Sequence, residues 1–120
     1  ATKKNRNAKK SATAIGLSGG GIQRIARLIE RDGLEPGHIW NLQGTEIRLG
    51  RKKDENDIPL RGLSASRFHA VINPQSEGYV LQALHLENPV YINGIPNTDR
   101  VILKNGDLIK AGESEFLFEE

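Results

Sequence analysis

The chain has no cysteine, which excludes a disulfide framework, a thiolate metal site and a cysteine nucleophile. That absence also suits a reducing compartment. No apolar run approaches the ~20 residues needed to span a bilayer. The basic residues near the amino terminus are not followed by an apolar core, so no signal peptide is expected. No internal repeat recurs at a fixed period. The three histidines, His38, His69 and His85, show no metal-ligand spacing. The glycine run Ser18-Gly19-Gly20-Gly21 leads into Ile22-Gln23-Arg24-Ile25. It lacks both the preceding strand and the closing lysine and hydroxyl of a phosphate-cradling loop, and reads as a flexible linker. A cytoplasmic location is expected, with no cofactor, no metal and no membrane insertion.

What is present is one domain's length of ordinary globular composition: 120 residues, 37% hydrophobic and 27% charged, enough to bury a single core. The net charge of +2 hides an asymmetry. Residues 1–23 carry Lys3, Lys4, Arg6, Lys9 and Lys10 and no acid, whereas the other 97 hold 12 basic and 15 acidic side chains. The expected organisation is a basic, disordered tail with its Gly-rich linker over 1–23 and a mildly acidic folded domain over 24–120. Five dispersed cations without aromatics are weaker evidence for a nucleic-acid arm than for a solvated tail, so nucleic acid is not expected as a partner.

Beyond the linker, the pattern favours strands. Ile22, Ile25, Ala26 and Ile29 also fit a short amphipathic helix, but Arg24–Arg31 running to Asp32-Gly33 fits a strand closed by a turn. The segments that follow alternate: His38–Leu42, Glu46–Gly50, Phe68–Asn73 (ending at Asn73-Pro74) and Gly78–Ala83. Asp57–Leu60 carries Pro59 and is placed at a sheet edge. Val90–Ile92 ends at Asn93-Gly94, a strong two-residue hairpin signal. Arg100–Leu103, Leu108–Lys110 and Glu115–Glu119 complete the chain. About ten to eleven short strands separated by turn residues predict an all-β sandwich or barrel.

Polar residues gather where these strands end. Ser64-Ala65-Ser66-Arg67-Phe68-His69 runs into an apolar segment, Gly50-Arg51 closes another, and Asn88 precedes a third. Hydroxyls, an amide and cations collected on loops at one end of a β scaffold suit a phosphate group. Ser66 and His69, with Asp57 in the neighbourhood, superficially suggest a nucleophile and its base. A triad is defined by geometry and an oxyanion hole rather than by sequence proximity, so no catalytic residue and no enzymatic activity is expected.

From about Ala26 to Glu119 the chain resembles the forkhead-associated (FHA) domain family. The resemblance rests on the shared order and spacing of Leu49-Gly50-Arg51, Asp57-Ile58-Pro59-Leu60, Leu63-Ser64-Ala65-Ser66-Arg67-Phe68-His69-Ala70, Asn88, Val90-Tyr91-Ile92-Asn93-Gly94 and Leu103-Lys104-Asn105-Gly106-Asp107-Leu108-Ile109. It implies a two-sheet β-sandwich that recognises phosphothreonine peptides through loops at one end, in Ser/Thr-kinase signalling or regulated assembly. Arg51 matches the arginine that reaches phosphate. A guanidinium presents a rigid fork of donors and stays charged at any relevant pH. Ser66 matches the hydroxyl donor to phosphate, and Arg67 holds the next position, where the family often adds a second phosphate contact. Together, Arg51 and Arg67 would set two cations against a group of about −1.5 to −2 charge. Asn88 matches the amide that holds the peptide backbone. Gly50, His69, Asn93 and Gly94 would support the loops, with the His69 ring bracing the loop of Ser66 and Asn93-Gly94 shaping the hairpin that presents Asn88.

The chain departs from the family at Glu87, where a small hydroxyl residue or a lysine usually stands, and at Pro89-Val90, which replace the usual Gly-Thr. A carboxylate beside phosphate repels it unless it turns away or pairs with Arg51 or Arg67. A second expectation follows: a scaffold with the same fold that binds its partner independently of phosphate. Selectivity beyond the phosphate is assigned to loops at Asn73–Gly78 and Ile95–Arg100. Thr2 and Thr13 in the tail are candidate self-ligands once phosphorylated, since tethering raises effective concentration.

Overall fold

The computed structural model of the protein describes residues 25–120. The basic tail, Thr2, Thr13 and the glycine linker lie outside the described residues. Eleven strands form two sheets. The first is ordered β2-β1-β11-β10-β7-β8 and comprises β1 (Arg27–Asp32), β2 (Ile39–Asn41), β7 (Val90–Ile92), β8 (Ile95–Asn97), β10 (Leu108–Ala111) and β11 (Ser114–Glu119). The second is ordered β4-β3-β5-β6-β9 and comprises β3 (Ile47–Gly50), β4 (Ile58–Pro59), β5 (Ala70–Gln75), β6 (Gly78–Ala83) and β9 (Arg100–Ile102). Every pairing is antiparallel except β3 with β4, which run parallel. Among the described residues the sole helical element is a single 3-10 turn, Lys53–Glu55, and no helix is long and apolar enough to cross a membrane.

Alternation along the strands builds the core. In β11, Ser114, Phe116 and Phe118 point inward while Glu115, Leu117 and Glu119 face outward. Leu28 and Ile109 extend the inner face of the first sheet, and Leu49, Ile58, Ile72 and Leu81 oppose them from the second. Full burial of each such side chain is worth roughly 1.5–3 kcal/mol. This packed interior holds the strand ends, and therefore the loops, in fixed relation.

The strand reading of the first segment stands, and its helical alternative does not: Arg27–Asp32 pairs with both β2 and β11. Pro59 lies in an edge strand. The short turn Gln43-Gly44-Thr45 carries the chain from the first sheet to the second. At Asn93-Gly94 the φ angles are 53° and 85°, and Ile92 pairs directly with Ile95, as in a two-residue turn with both residues left-handed.

Three expectations are corrected. The strand holding Ile72 starts at Ala70, so Phe68 belongs to the preceding loop. That strand does not stop at Asn73-Pro74 but continues to Gln75, with Pro74 opposite Tyr79. The neighbouring β3 ends its pairing at Ile72, so beyond that point β5 has β6 alone as a partner and the missing proline N–H breaks no second ladder. Asn73–Gly78 is consequently a tight β5–β6 hairpin, and Ile95–Asn97 is a strand, so neither stretch is the open loop anticipated.

One inward position of β1 holds a carboxylate. Glu30 is 1% exposed. Its Oε1 accepts the Trp40 indole N–H at 2.9 Å and its Oε2 accepts the Glu35 backbone N–H at 2.7 Å. Gly33 makes room for it, since a Cβ there would lie 2.5 Å from Glu30 Oε2, and its φ is +146°. Removing a donor from a buried charged acceptor costs about 1–3 kcal/mol. Trp40→Phe is therefore expected to lower the free energy of urea unfolding, followed by far-UV circular dichroism, by about 2 kcal/mol. A loss within the roughly 0.5 kcal/mol range of ordinary surface changes would contradict this role for Glu30.

Candidate functional site

Because β3 and β6 run antiparallel to β5, the end of β3 at Gly50, the start of β5 at Ala70 and the end of β6 at Ala83 lie along one edge of the second sheet. Three loops leave from that edge: 51–57 between β3 and β4, 60–69 between β4 and β5, and 84–89 between β6 and β7. They converge on Ser66. Its carbonyl accepts the Arg51 backbone N–H at 2.9 Å. Its own N–H donates to His69 Nδ1 at 2.9 Å. Its Oγ accepts the Asn88 amide at 2.7 Å. A hydroxyl has one donor and two acceptor sites, so with Asn88 on a lone pair the Ser66 O–H is still able to donate outward. Asn88 Oδ1 has no partner among the described residues and is free to accept.

The loop is positioned by atoms on either side of it. Arg67 turns its carbonyl to Asn56 Nδ2 at 2.8 Å, and Asn56 also holds the Lys52 carbonyl at 2.8 Å. This packing leaves no room at Gly50, where a Cβ would collide with the Arg67 carbonyl and sit 2.6 Å from Asn56 Nδ2. From beneath, the β10–β11 turn supports the start of the loop. Ser114 Oγ accepts the Arg61 N–H at 2.9 Å, Glu113 N–H donates to the Arg61 carbonyl at 2.8 Å, and Gly112 lies against Ala65. The Arg61 guanidinium reaches the carbonyls of Gly33 and Glu113 and the Asp32 carboxylate at 3.1–3.3 Å. Asn56, Arg61, Gly112 and Ser114 were not read from the sequence. A lone asparagine or arginine between turns carries no periodic signal, and their partners lie as far as 53 residues away.

His69 is buried, and its ring joins two of the loops. Nδ1 accepts from Ser66, and Nε2 lies 3.5 Å from the Pro89 carbonyl, so the neutral tautomer with hydrogen on Nε2 fits both contacts. Burial lowers its pKa from 6.5. The Pro89 hydrogen bond opposes that shift, and the nearby His85 adds to it.

The cations are held differently. The Arg67 guanidinium is exposed and forks onto Glu55, with Nε at 3.1 Å from Oε1 and Nη2 at 3.3 Å from Oε2, while lying 5.5 Å over the Phe68 ring. The Arg51 side chain is exposed and has no hydrogen bond or ion pair among the described residues. Glu87 is exposed and pairs with neither arginine. Asn93-Gly94 lies at the other end of β7 from Asn88, five residues along the chain. There Asn93 binds Asp107 Oδ1 at 2.9 Å and the Leu108 N–H at 3.0 Å, tying β7 to the turn before β10. Arg51, Ser66, Arg67 and Asn88 thus share one end of the sandwich with Gly50 and His69, and Asn93 and Gly94 occupy the opposite end. Among the described residues no group of acids and histidines could hold a metal ion.

Comparison with known proteins gives this architecture a family. The family model for the FHA domain matches residues 47–112, more than half of the chain. The transcriptional regulatory protein EmbR of Mycobacterium tuberculosis is 34% identical over 99 residues, covering 82% of this chain and 24% of EmbR. The chain therefore spans about a quarter of that relative's length. The structure of EmbR in complex with a low-affinity phosphopeptide superposes with a TM-score of 0.73 at 33% identity, covering 85% of this chain and 26% of that one. An FHA domain of a hypothetical protein from Arabidopsis thaliana gives a TM-score of 0.75 at 28% identity, over 88% of this chain and 93% of that one. A further structure, from a study of phosphothreonine-dependent FHA domain interactions, gives 0.70 at 26% identity, over 81% and 97%.

His69 makes the loop edge pH-sensitive. Its pKa is lowered in the fold, so between that lowered value and 6.5 the unfolded chain binds a proton that the folded chain does not. The stabilisation is complete above 6.5 and is lost as pH falls through that window. Urea unfolding measured from pH 7.5 to 4.5 is expected to show wild type losing stability relative to His69→Asn as pH drops, with a slope of at most ~1.4 kcal/mol per pH unit. A flat difference, or one that favours wild type at low pH, would contradict the buried neutral ring.

Proposed function

The chain belongs to the FHA domain family, and on that premise we propose that residues 24–120 form a phosphothreonine-dependent peptide-binding module joined to a basic tail and linker over 1–23. The observation that carries the reading is the state of Ser66. Its backbone and one lone pair are committed to fixed partners on the loops that meet there, while its O–H and the Asn88 side-chain oxygen have no partner among the described residues, and Arg51, whose N–H meets the Ser66 carbonyl, has a side chain unpaired among them. Such a cluster offers a phosphate what it needs: a fixed hydroxyl donor, a cation with a planar fork and an amide for the neighbouring main chain. EmbR, similar in sequence and fold, has been seen with a phosphopeptide bound, which supports carrying the same ligand class to this chain.

In this reading Arg51 contacts phosphate directly. Ser66 donates its hydroxyl, and Asn88 holds Ser66 from one side while engaging the peptide backbone from the other. Arg67 contributes only as far as it leaves Glu55 or shares it. The chain acts as an adaptor in Ser/Thr-kinase signalling or regulated assembly on the cytoplasmic side, with a phosphothreonine protein as partner and no chemistry of its own. Glu87 supports a second reading, a scaffold that binds independently of phosphate, because the protein leaves that carboxylate uncompensated next to Asn88.

Fluorescence anisotropy with a degenerate phosphothreonine peptide library separates the two. Arg51→Ala is expected to weaken binding by about 2 kcal/mol or more, roughly thirtyfold, with the unfolding midpoint unchanged. Arg67→Ala is expected to cost less, since that guanidinium must first give up part of its pairing with Glu55. Equal binding of phosphorylated and unphosphorylated libraries, indifferent to Arg51→Ala, would overturn the phosphate reading in favour of the scaffold.

A further inference from the structure

The charged groups at the rim of this site are unevenly paired. On the 51–57 loop, Glu55 is taken by Arg67 at 3.0 Å and Asp54 lies 3.7 Å from Lys52. Arg51 and Lys53 remain exposed, with no ion pair among the described residues. Across the site, Glu87 is exposed and likewise has no hydrogen bond or ion pair among them. It directly precedes Asn88, whose amide is 2.7 Å from Ser66 Oγ. An unscreened carboxylate so close to a phosphate dianion works against binding unless a cation sits with it.

Among the described residues no such cation pairs with it, as Arg67 is turned to Glu55 and Arg51 makes no ion pair with Glu87. Apolar side chains on the same loop as Glu87 and on the Ser66 loop are exposed among the described residues. Leu86 is 78% and Leu84 42% exposed on the same loop, and Leu63 is 91% exposed on the loop that carries Ser66. A carboxylate that directly follows an open leucine in the chain fits one kind of side chain well: a lysine or arginine, which lays its aliphatic stem on apolar surface and keeps its charged head for an anion.

We propose that Glu87 is a specificity-determining residue that binds a lysine or arginine of the phosphopeptide, within about three residues of the phosphothreonine at ~3.3 Å per extended residue, with its stem against Leu86. The proposal rests on the phosphothreonine reading above and deepens it. The ligand class becomes a phosphothreonine peptide with a basic neighbour, and the carboxylate that otherwise weakens the site becomes the group that selects the partner.

The test scans lysine, alanine and glutamate through the three positions on either side of phosphothreonine in a fixed peptide, against wild type, Glu87→Gln, Glu87→Lys and Arg51→Ala of the 120-residue chain. Wild type is expected to prefer lysine over alanine about fivefold at one or two adjacent positions, the size of a partly exposed ion pair. Glu87→Gln removes that preference and tightens binding of the alanine peptide. Glu87→Lys inverts the preference toward glutamate at the same positions. Phosphate-dependent binding in which wild type and Glu87→Lys share one charge preference overturns the role of Glu87 and leaves the phosphate site standing. Absence of phosphate-dependent binding throughout, with wild type equal to Arg51→Ala, overturns both.

Discussion

Ser66 commits each of its polar groups to a different part of the chain. The Arg51 N–H meets its carbonyl, His69 Nδ1 meets its N–H, and the Asn88 amide meets its Oγ. A surface loop residue ordinarily has water for such partners, and exchanging water for three fixed groups restricts where the hydroxyl can point. The geometry depends on features that do not touch the serine. Gly50 lets the Arg67 carbonyl come close enough for Asn56 to hold it. A buried, neutral His69 presents a lone pair where a protonated ring would present hydrogen. The β10–β11 turn holds Arg61 and Ala65 in place below. Each of these stems from the end of a strand whose register is set by core packing, so the sandwich transmits its rigidity to one loop.

The charges around this point are unevenly settled. Arg67 forks onto Glu55 in the geometry it would use for a phosphate, so an internal carboxylate already occupies the second cation. Such exposed pairs are worth little in stability, so in the proposed reading an arriving dianion would compete with Glu55 at modest cost. Arg51 carries no such partner among the described residues. Two arginines that look equivalent in sequence are therefore unequally paired, and Glu87 has no ion pair among the described residues, a carboxylate that in the proposed reading the ligand neutralises.

Much of the architecture was legible because it rests on periodicity and turn chemistry. Alternating runs such as Glu46–Gly50 bury every second residue, Ile47 and Leu49, and end at a glycine, and Asn93-Gly94 adopts the left-handed turn its composition demands. Reading failed where tertiary context overrode a local rule. Pro74 should end a strand, yet the β3 side of β5 is already unpaired there, and Phe68 looks like a strand residue but lies in the loop. The residue types at the site were visible in sequence, and their connections were not. That Asn88 binds Ser66, that Asn56 holds Arg67, or that Glu30 turns inward to meet Trp40 depends on partners ten to more than twenty residues away, for which a single chain offers no periodic signature.

The most direct test of the central claim, that the Ser66 crossing is where phosphate binds, is an amide NMR titration of the 15N-labelled chain with a phosphothreonine peptide pool and its unphosphorylated counterpart. The account predicts that only the phosphorylated pool shifts signals, and that the shifts concentrate on Arg51, Ser66, Arg67 and the Asn88 side chain while Asn93, Gly94 and Asn105 at the far end stay still. Shifts spread over the outer face of either sheet, or the same for both pools, would contradict it.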